Sequence, residues 1–355
     1  MASRSPCCVR QVPEDWCEWV ACLSELLDSR TAWRLPLVVL GILLARGRRT
    51  VTSWLRAQGV LADFSDYYYF VGSLGRKIEP LATQVLQLLL TRLPIGERML
   101  LAVDDTPTRR YGPQVEGAGL HHNPTSGPDD HKFVYGHIWV TLAWVVRHPG
   151  WGTFALPLRA MMYVKRKDFS KLAGRCRWTF QTKLDLAAEL VAWAAGVLRP
   201  LGKAVWLVAD GAYAYRRLLR KILPQGVTFV SRLRKDAGLR DLPQPRRPGQ
   251  RGGTRKYGKK VISLAKRAAH RLGWSQIEVI LYGKKSLKTY KTFLATWPVV
   301  GGVIRVVIVR EEGRWEAFFC TDPEASVQSI LECFADRATI LQTFHDVKEV
   351  WGISQ

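Results

Sequence analysis

The sequence predicts a mixed α/β protein with a helical N-terminal domain, a core of strands and helices, and a basic stretch that leads into further strands. Three observations carry that reading. Residues 1 to about 95 show helical periodicity. From Met99 the apolar period shortens, and β-branched and aromatic residues collect in runs. Between residues 231 and 290 the composition shifts to 17 Lys and Arg against 3 acidic residues.

In the helical part, Trp16 to Leu27 is amphipathic and Leu35 to Leu44 is a short buried run. Next comes RGRRTVTSWLRAQGV, Arg46 to Val60, where Thr50 or Thr52 can cap a helix with Val51, Trp54, Leu55 and Val60 at near-helical intervals. A basic approach to a short helix fits the recognition element of a helix-turn-helix, and it equally fits an ordinary surface helix. The core follows with strand-like runs at Met99 to Asp105, His137 to Val146 and Gly152 to Val164. A helix at Leu184 to Leu198, a strand at Ala204 to Asp210, a short helix from Tyr215 to Leu223 and a strand at Gly226 to Arg234 complete the mixed order. After the basic stretch, strands are expected in YKTFLATWPVV, VIRVVIVREE and RWEAFFCTD, and the remainder reads as helix. The expected divisions are 1–95, 96–234, 235–322 and 323–355.

A chain of 355 residues with 47% hydrophobic residues has material for two or three packed domains. Its net charge of +23 points to a polyanionic partner, nucleic acid or a membrane surface. The longest apolar run, Leu35 to Ala45, is too short for a bilayer, which needs about 20 residues, and the N-terminus lacks a secretory pattern. A soluble intracellular protein without membrane association is the expectation. Seven cysteines form no C-x-x-C pair, so Cys7, Cys8, Cys17 and Cys22 read as reduced thiols rather than a zinc site. His121, His122, Asp129, Asp130, His131 and His137 fit no standard metal spacing, and their Gly/Pro-rich stretch reads as a loop joining strands.

Two apolar strands end in aspartate: Asp104 and Asp105 close the first, Asp210 the other. Ligands of such sheets bind beyond the carboxyl ends of the strands, and carboxylates placed there are oxygen ligands for Mg²⁺ or Mn²⁺. Two such ions can activate water and stabilise the leaving oxygen of a phosphodiester. Loop caps are the plain alternative for each aspartate alone. The basic run RRPGQRGGTRKYGKK, with Arg255, Lys256, Lys259 and Lys260, adds candidate phosphate contacts.

At these residues the chain resembles the DDE-type transposases of bacterial insertion sequences. AVDDTP (Ala102 to Pro107) is similar to the first aspartate block, and VADGAY (Val208 to Tyr213) to the second. FADRATILQTFHDVKEVWG is similar to the third, whose signature is Y-(2)-R-(3)-E-(6)-K, with Phe334, Arg337 and Lys348 at its Tyr, Arg and Lys places. The resemblance implies an RNase H-like mixed-sheet catalytic core interrupted by a β-rich insertion. It further implies a two-metal Mg²⁺ or Mn²⁺ site on Asp105 and Asp210, with Asp104 as a neighbour, and phosphate contacts from Arg337 and Lys348. The implied activity is cleavage and strand transfer of DNA. The implied partners are terminal inverted repeats and target DNA, bound by a homodimer in the bacterial cytoplasm at the nucleoid. The place of the catalytic Glu holds Leu341, which cannot ligate a metal. The chain is then a disabled copy, or a scaffold with one changed position, or one in which Asp346 or Glu349 substitutes. On a regular helix, Glu349 lies about 12 Å along the axis from 341 and Asp346 points well away. Relatives of this group continue past the place of Gln355, so a shortened C-terminus is expected. A non-catalytic DNA-binding protein and another two-metal nuclease are the competing readings.

Overall fold

The computed structural model describes residues 12–112, 114–122, 132–169, 172, 178–245 and 253–352. In chain order, five helices come first: α1 (Glu14–Ser24), α2 (Arg34–Leu44), α3 (Val51–Ala57), α4 (Phe64–Leu74) and α5 (Ile78–Arg92). Strands β1 (Arg98–Arg109), β2 (Gly119–His122), β3 (Phe133–His148) and β4 (Gly152–Tyr163) precede α6 (Arg166–Phe169) and α7 (Lys183–Leu198). Then follow β5 (Ala204–Ala209), α8 (Arg216–Ile222), β6 (Val227–Leu233), β7 (Leu239–Arg240), β8 (Val261–Ile262) and α9 (Leu264–Ala269). Strands β9 (Ser275–Leu281), β10 (Lys284–Trp297), β11 (Gly302–Glu311) and β12 (Arg314–Cys320) lead to α10 (Val327–Asp336) and α11 (Thr339–His345). Two compact units result, one of residues 1–93, 107–137 and 344–355, the other of 94–106 and 138–343.

The first unit holds α1 to α5 around Val20, Leu35, Val38, Leu55, Tyr67 and Phe70. Thr50 caps α3 by accepting from the Ser53 N–H, as the sequence allowed. Within α3 only Arg56 is exposed, so this helix is packing material on most of its surface. Its close approach to α2 depends on Gly41, where a Cβ would stand 2.4 Å from the Trp54 carbonyl oxygen. Gly41→Ala therefore has to push α2 off α3, and urea denaturation should show a loss of about 2 kcal/mol, the usual cost of overpacking. The same unit contains β2, a strand where the sequence suggested only loop; it pairs antiparallel with Phe133 to Gly136. His121 and His137 are buried there, and the His137 ring meets the Glu116 carbonyl at 2.9 Å. Asp129, Asp130 and His131 fall outside the described residues.

The second unit is built on one sheet in the order β3-β1-β5-β6-β12-β11-β10-β7-β8, with β4 on β3 and β9 on β10. Strands β1, β5 and β6 are parallel, aligned Val103 to Ala209 and Ala209 to Ser231. Met99, Leu101 to Val103, Leu207 to Ala209, Phe229 and Val230 are fully enclosed, as expected of parallel strands covered on both faces. The strands of the basic stretch continue this sheet, since β12 pairs directly with β6. β9 and the short α9 were not legible in the lysine-rich sequence. The C-terminal stretch, read as helix throughout, breaks into α10, α11 and a π-helical turn at Asp346–Val350.

Helix α7 is held to α8 by a buried carboxylate. Asp185 closes a capping box with Thr182 and accepts from Arg217 Nε and Lys221 Nζ, both at 2.8 Å. Burial alone would raise its pKa, but Arg217, Lys221 and Thr182 outweigh burial and hold the carboxyl far below its ordinary value. A depressed folded pKa contributes stability that is present above pH 3.8 and lost as the pH falls below it. Asp185→Asn should cost about 2 kcal/mol at pH 7, discounted because both cations are half exposed. The same variant should melt with a shallower loss on acidification than the unaltered chain.

Candidate active site

The parallel register of β1 and β5 decides what meets at the strand ends. With Val103 opposite Ala209 as the last aligned pair, Asp104 on β1 and Asp210 just after β5 follow side by side; β1 itself runs on to Arg109, so Asp104 and Asp105 lie within that strand instead of closing it as the sequence suggested. Asp104 is largely buried and pairs with Arg337 Nη1 at 2.8 Å, each side chain 16% exposed. The Asp105 N–H donates to Asp104 Oδ1 at 2.9 Å. Asp105 receives the Lys183 ammonium on Oδ2 at 2.6 Å and the Tyr213 hydroxyl on Oδ1 at 2.9 Å. Asp210 caps the 3-10 turn Gly211–Tyr213, and Arg232 stands 3.7 Å from its Oδ1 while pairing with Glu316 at 3.3 Å. Gly211 follows because a Cβ there would come within 3.2 Å of the Arg232 carbonyl.

The three aspartates share one electrostatic neighbourhood. Burial pushes Asp104 up to about 6; Arg337 and the Asp105 N–H oppose that, and the negative charges of Asp105 and Asp210 add to it. The enclosed Tyr213 phenol is pushed well above its ordinary value by burial, then by Asp105, Asp104 and Asp210. Because the folded value of Asp104 exceeds 3.8, stability falls as the pH rises from there to about 6. Beside Asp210 a cavity of about 600 Å³ opens, bordered by Tyr215, Arg232, Arg234, Lys235 and Glu316.

This geometry is reached by one strand pairing and two helices. α7 begins at Lys183 and delivers it to Asp105, and α10 ends at Arg337 and delivers it to Asp104. Phe334, one turn before, packs on Phe318 with ring centroids 4.8 Å apart, and the Arg337 guanidinium lies 5.3 Å above the Phe334 ring. The sequence singled out Asp104, Asp105, Asp210 and Arg337, and the structure brings these four together. It missed Lys183, Tyr213, Arg232 and Glu316. Tyr213 stood inside the VADGAY block, but Lys183, Arg232 and Glu316 carry no local signal and are found only through the sheet.

A profile of the DDE superfamily endonucleases matches residues 22–291, well over half of the chain and a span that includes Asp104, Asp105 and Asp210. The chain belongs to the DDE superfamily endonucleases. No curated protein matches it. DDE endonucleases are transposase-like nucleases that act on DNA and generally use divalent metal ions, and the mixed sheet with parallel β1, β5 and β6 is consistent with their RNase H-like fold. No helix among the described residues is long and apolar enough to cross a membrane.

The other residues singled out by sequence make no contact with the aspartates that the structure records among the described residues. Arg255, Lys256, Lys259 and Lys260 are exposed, just before β8 at the far edge of the sheet. Lys348 belongs to the first unit, in the π-helical turn, where burial lowers its pKa and Glu349 opposes the shift. Asp346 and Glu349 share that turn, and Asp346 sits 3.4 Å from His345 Nδ1. Leu341, on α11, is 50% exposed. Among the described residues no group of three His, Cys, Asp or Glu side chains is placed to hold a metal. The donor chemistry of the DDE endonuclease site nonetheless fits a hard divalent ion in part. Asp105 and Asp210 offer hard oxygens just past the point where the β1–β5 pairing ends, and Asp105 already attracts a cation, the Lys183 ammonium.

Arg337→Met should strand Asp104 without its counter-charge. Equilibrium unfolding at pH 7.5 is expected to show a loss of about 3 kcal/mol. At pH 5, where Asp104 is already largely protonated, the loss should be clearly smaller.

Proposed function

We propose that the chain is a transposase acting on the ends of a DNA insertion sequence, with its catalytic centre one carboxylate short at Leu341. The observation that carries this reading is the grouping of Asp104, Asp105 and Asp210 where the parallel pairing of β1 and β5 ends, in a chain of net charge +23. In this reading Asp105 and Asp210 hold Mg²⁺ or Mn²⁺, which supplies charge for activating a nucleophile and stabilising the leaving oxygen of a phosphodiester. The chain's own residues do the rest. Tyr213 and Lys183 fix the Asp105 carboxylate between them, so its orientation costs nothing at the moment of reaction. Arg337 orients Asp104 and presents positive charge near the strand ends, suited to a phosphate beside the cut. Strand transfer to target DNA, terminal inverted repeats as substrate, a homodimer on DNA and a place at the bacterial nucleoid complete the reading. Lys348 serves as a further phosphate contact.

One observation favours a second reading, a DNA-binding protein derived from a transposase without catalysis. Leu341 is aliphatic and half exposed where the resemblance expects Glu. Nicking of a duplex ending in the element's own terminal repeat separates the two, with Mg²⁺ or Mn²⁺ supplied. Leu341→Glu should cut, and Asp210→Ala added to it should abolish cutting while the melting curve stays cooperative. A Leu341→Glu chain that cuts no better than Asp210→Ala would establish the second reading.

In either reading the basic segment before β8 grips DNA. Removing the charges of Arg255, Lys256, Lys259 and Lys260 should flatten the dependence of log K on log salt by up to about 0.9 for each phosphate that is no longer neutralised. An unchanged slope rejects that role.

A further inference from the structure

A second basic concavity lies away from the aspartates, between the β8–α9 segment and β10. Its volume is about 810 Å³, and Lys260, Lys266, Arg267, His270 and Lys291 line it, with Asp241 the single carboxylate. Asp241 is engaged, since its Oδ1 accepts from the Lys260 N–H at 3.0 Å.

Part of this charge has a structural account. The buried Lys291 ammonium donates to the carbonyls of Arg267 and His270 at 3.0 and 2.6 Å. Arg310 donates to the Ala268 carbonyl at 2.7 Å. These two cations satisfy the free carbonyls at the C-terminal end of α9, and both lie over the Trp274 ring, at 4.6 and 4.2 Å.

That account leaves Lys266 and Arg267 over. Both are exposed, and neither pairs with a carboxylate among the described residues. The Arg267 guanidinium lies 4.1 Å above the Phe293 ring, which fixes its plane without occupying its donors. Burial lowers the Lys291 pKa, and the charges of Arg310 and Arg267 lower it further, so the positive field of the concavity is not neutralised locally.

We propose that this concavity receives a phosphodiester of DNA, gripped by Lys266 and Arg267 with Lys260 at its rim. The proposal rests on the reading of the chain as a DNA-acting protein. It adds where on the molecule a distant part of the duplex is held. β10 lies four strands from β5 and β8 six. At about 4.8 Å per strand, the grip is roughly 20–30 Å from the aspartates along the sheet. At about 3.4 Å per base pair, that is some six to nine pairs from the cut.

The test uses the full chain with EDTA, so that cleavage plays no part. Binding of a fluorescent 40-bp mixed-sequence duplex is followed by anisotropy over a range of salt. Lys266→Gln/Arg267→Gln is compared with Arg199→Gln/Lys203→Gln, which removes equal charge elsewhere on the surface. The first pair should lower the salt slope by about 2, roughly 0.9 for each phosphate released, and the control by much less. Equal effects of the two pairs overturn the proposal and leave the transposase reading standing. Failure of the unaltered chain to bind the duplex overturns both. A second readout is acetylation of Lys266, which DNA should block. Equal protection by inorganic phosphate at the same phosphate concentration would mark a small-anion site and overturn the DNA assignment.

Discussion

The site depends on the cost of holding three carboxylates together at the end of a parallel sheet. Asp104 and Asp105 on β1 and Asp210 after β5 stand within one another's field, and the structure brings cations to them. Arg337 comes from the end of α10, Lys183 from the start of α7, and Arg232 from β6. Each of these elements is anchored elsewhere by its own packing, so the cations cannot drift off to solvent. α7 buries nine of its residues and is tied to α8 through Asp185. α10 is pinned by Arg147, which pairs with Glu332 and Asp336, and by the β9 N–H of Ile280 that Glu332 accepts.

The aspartates were readable from sequence for a simple reason. An apolar run that ends in Asp states where the enclosed parallel pairing stops and which group stands at its mouth; MLLAVDD and AVWLVAD both do so, although β1 runs on to Arg109. Arg337 was readable because a fixed spacing along a helix survives in sequence. Lys183, Arg232 and Glu316 were not, because their relation to the aspartates exists only across strand pairings. The Arg232 position is set by Ala209 facing Ser231, and Glu316 by Ala317 facing Leu233. β2, β9 and α9 escaped for a different reason. β2 and β9 are short and take their regularity from pairing with the longer β3 and β10, and α9 is a six-residue helix too short to show a period.

The basic stretch illustrates how composition can be right about chemistry and vague about place. Seventeen cationic residues in sixty announce a polyanion partner, yet they divide into groups with different physical roles. Just beyond the stretch, Lys291 and Arg310 close the end of a short helix, and within it Arg234 pairs with Asp236 and Arg232 with Glu316. Lys288 and Lys285 pair across strands with Glu311 and Glu278. Among the described residues, Arg255, Lys256, Lys259, Lys260, Lys266 and Arg267 have no recorded carboxylate partner and follow one another through the β8–α9 segment.

That distribution has a mechanical consequence. The carboxylates and the unpaired cations sit on one hydrogen-bonded sheet, joined through β6, β12, β11 and β10. β10 and β11 alone share nine aligned residue pairs, so the two ends of the sheet cannot slide past one another strand by strand. On the proposed reading, a duplex gripped at the basic edge is presented to the aspartates at a separation set by strand spacing rather than by a flexible linker. Positioning of this kind supplies much of the rate in phosphoryl transfer, where the protein makes no covalent bond to its substrate. It also does not depend on residue 341. On the proposed reading, a leucine at 341 takes away a carboxylate but leaves this sheet spacing unchanged, so the expected loss falls on cutting and not on the registration of DNA.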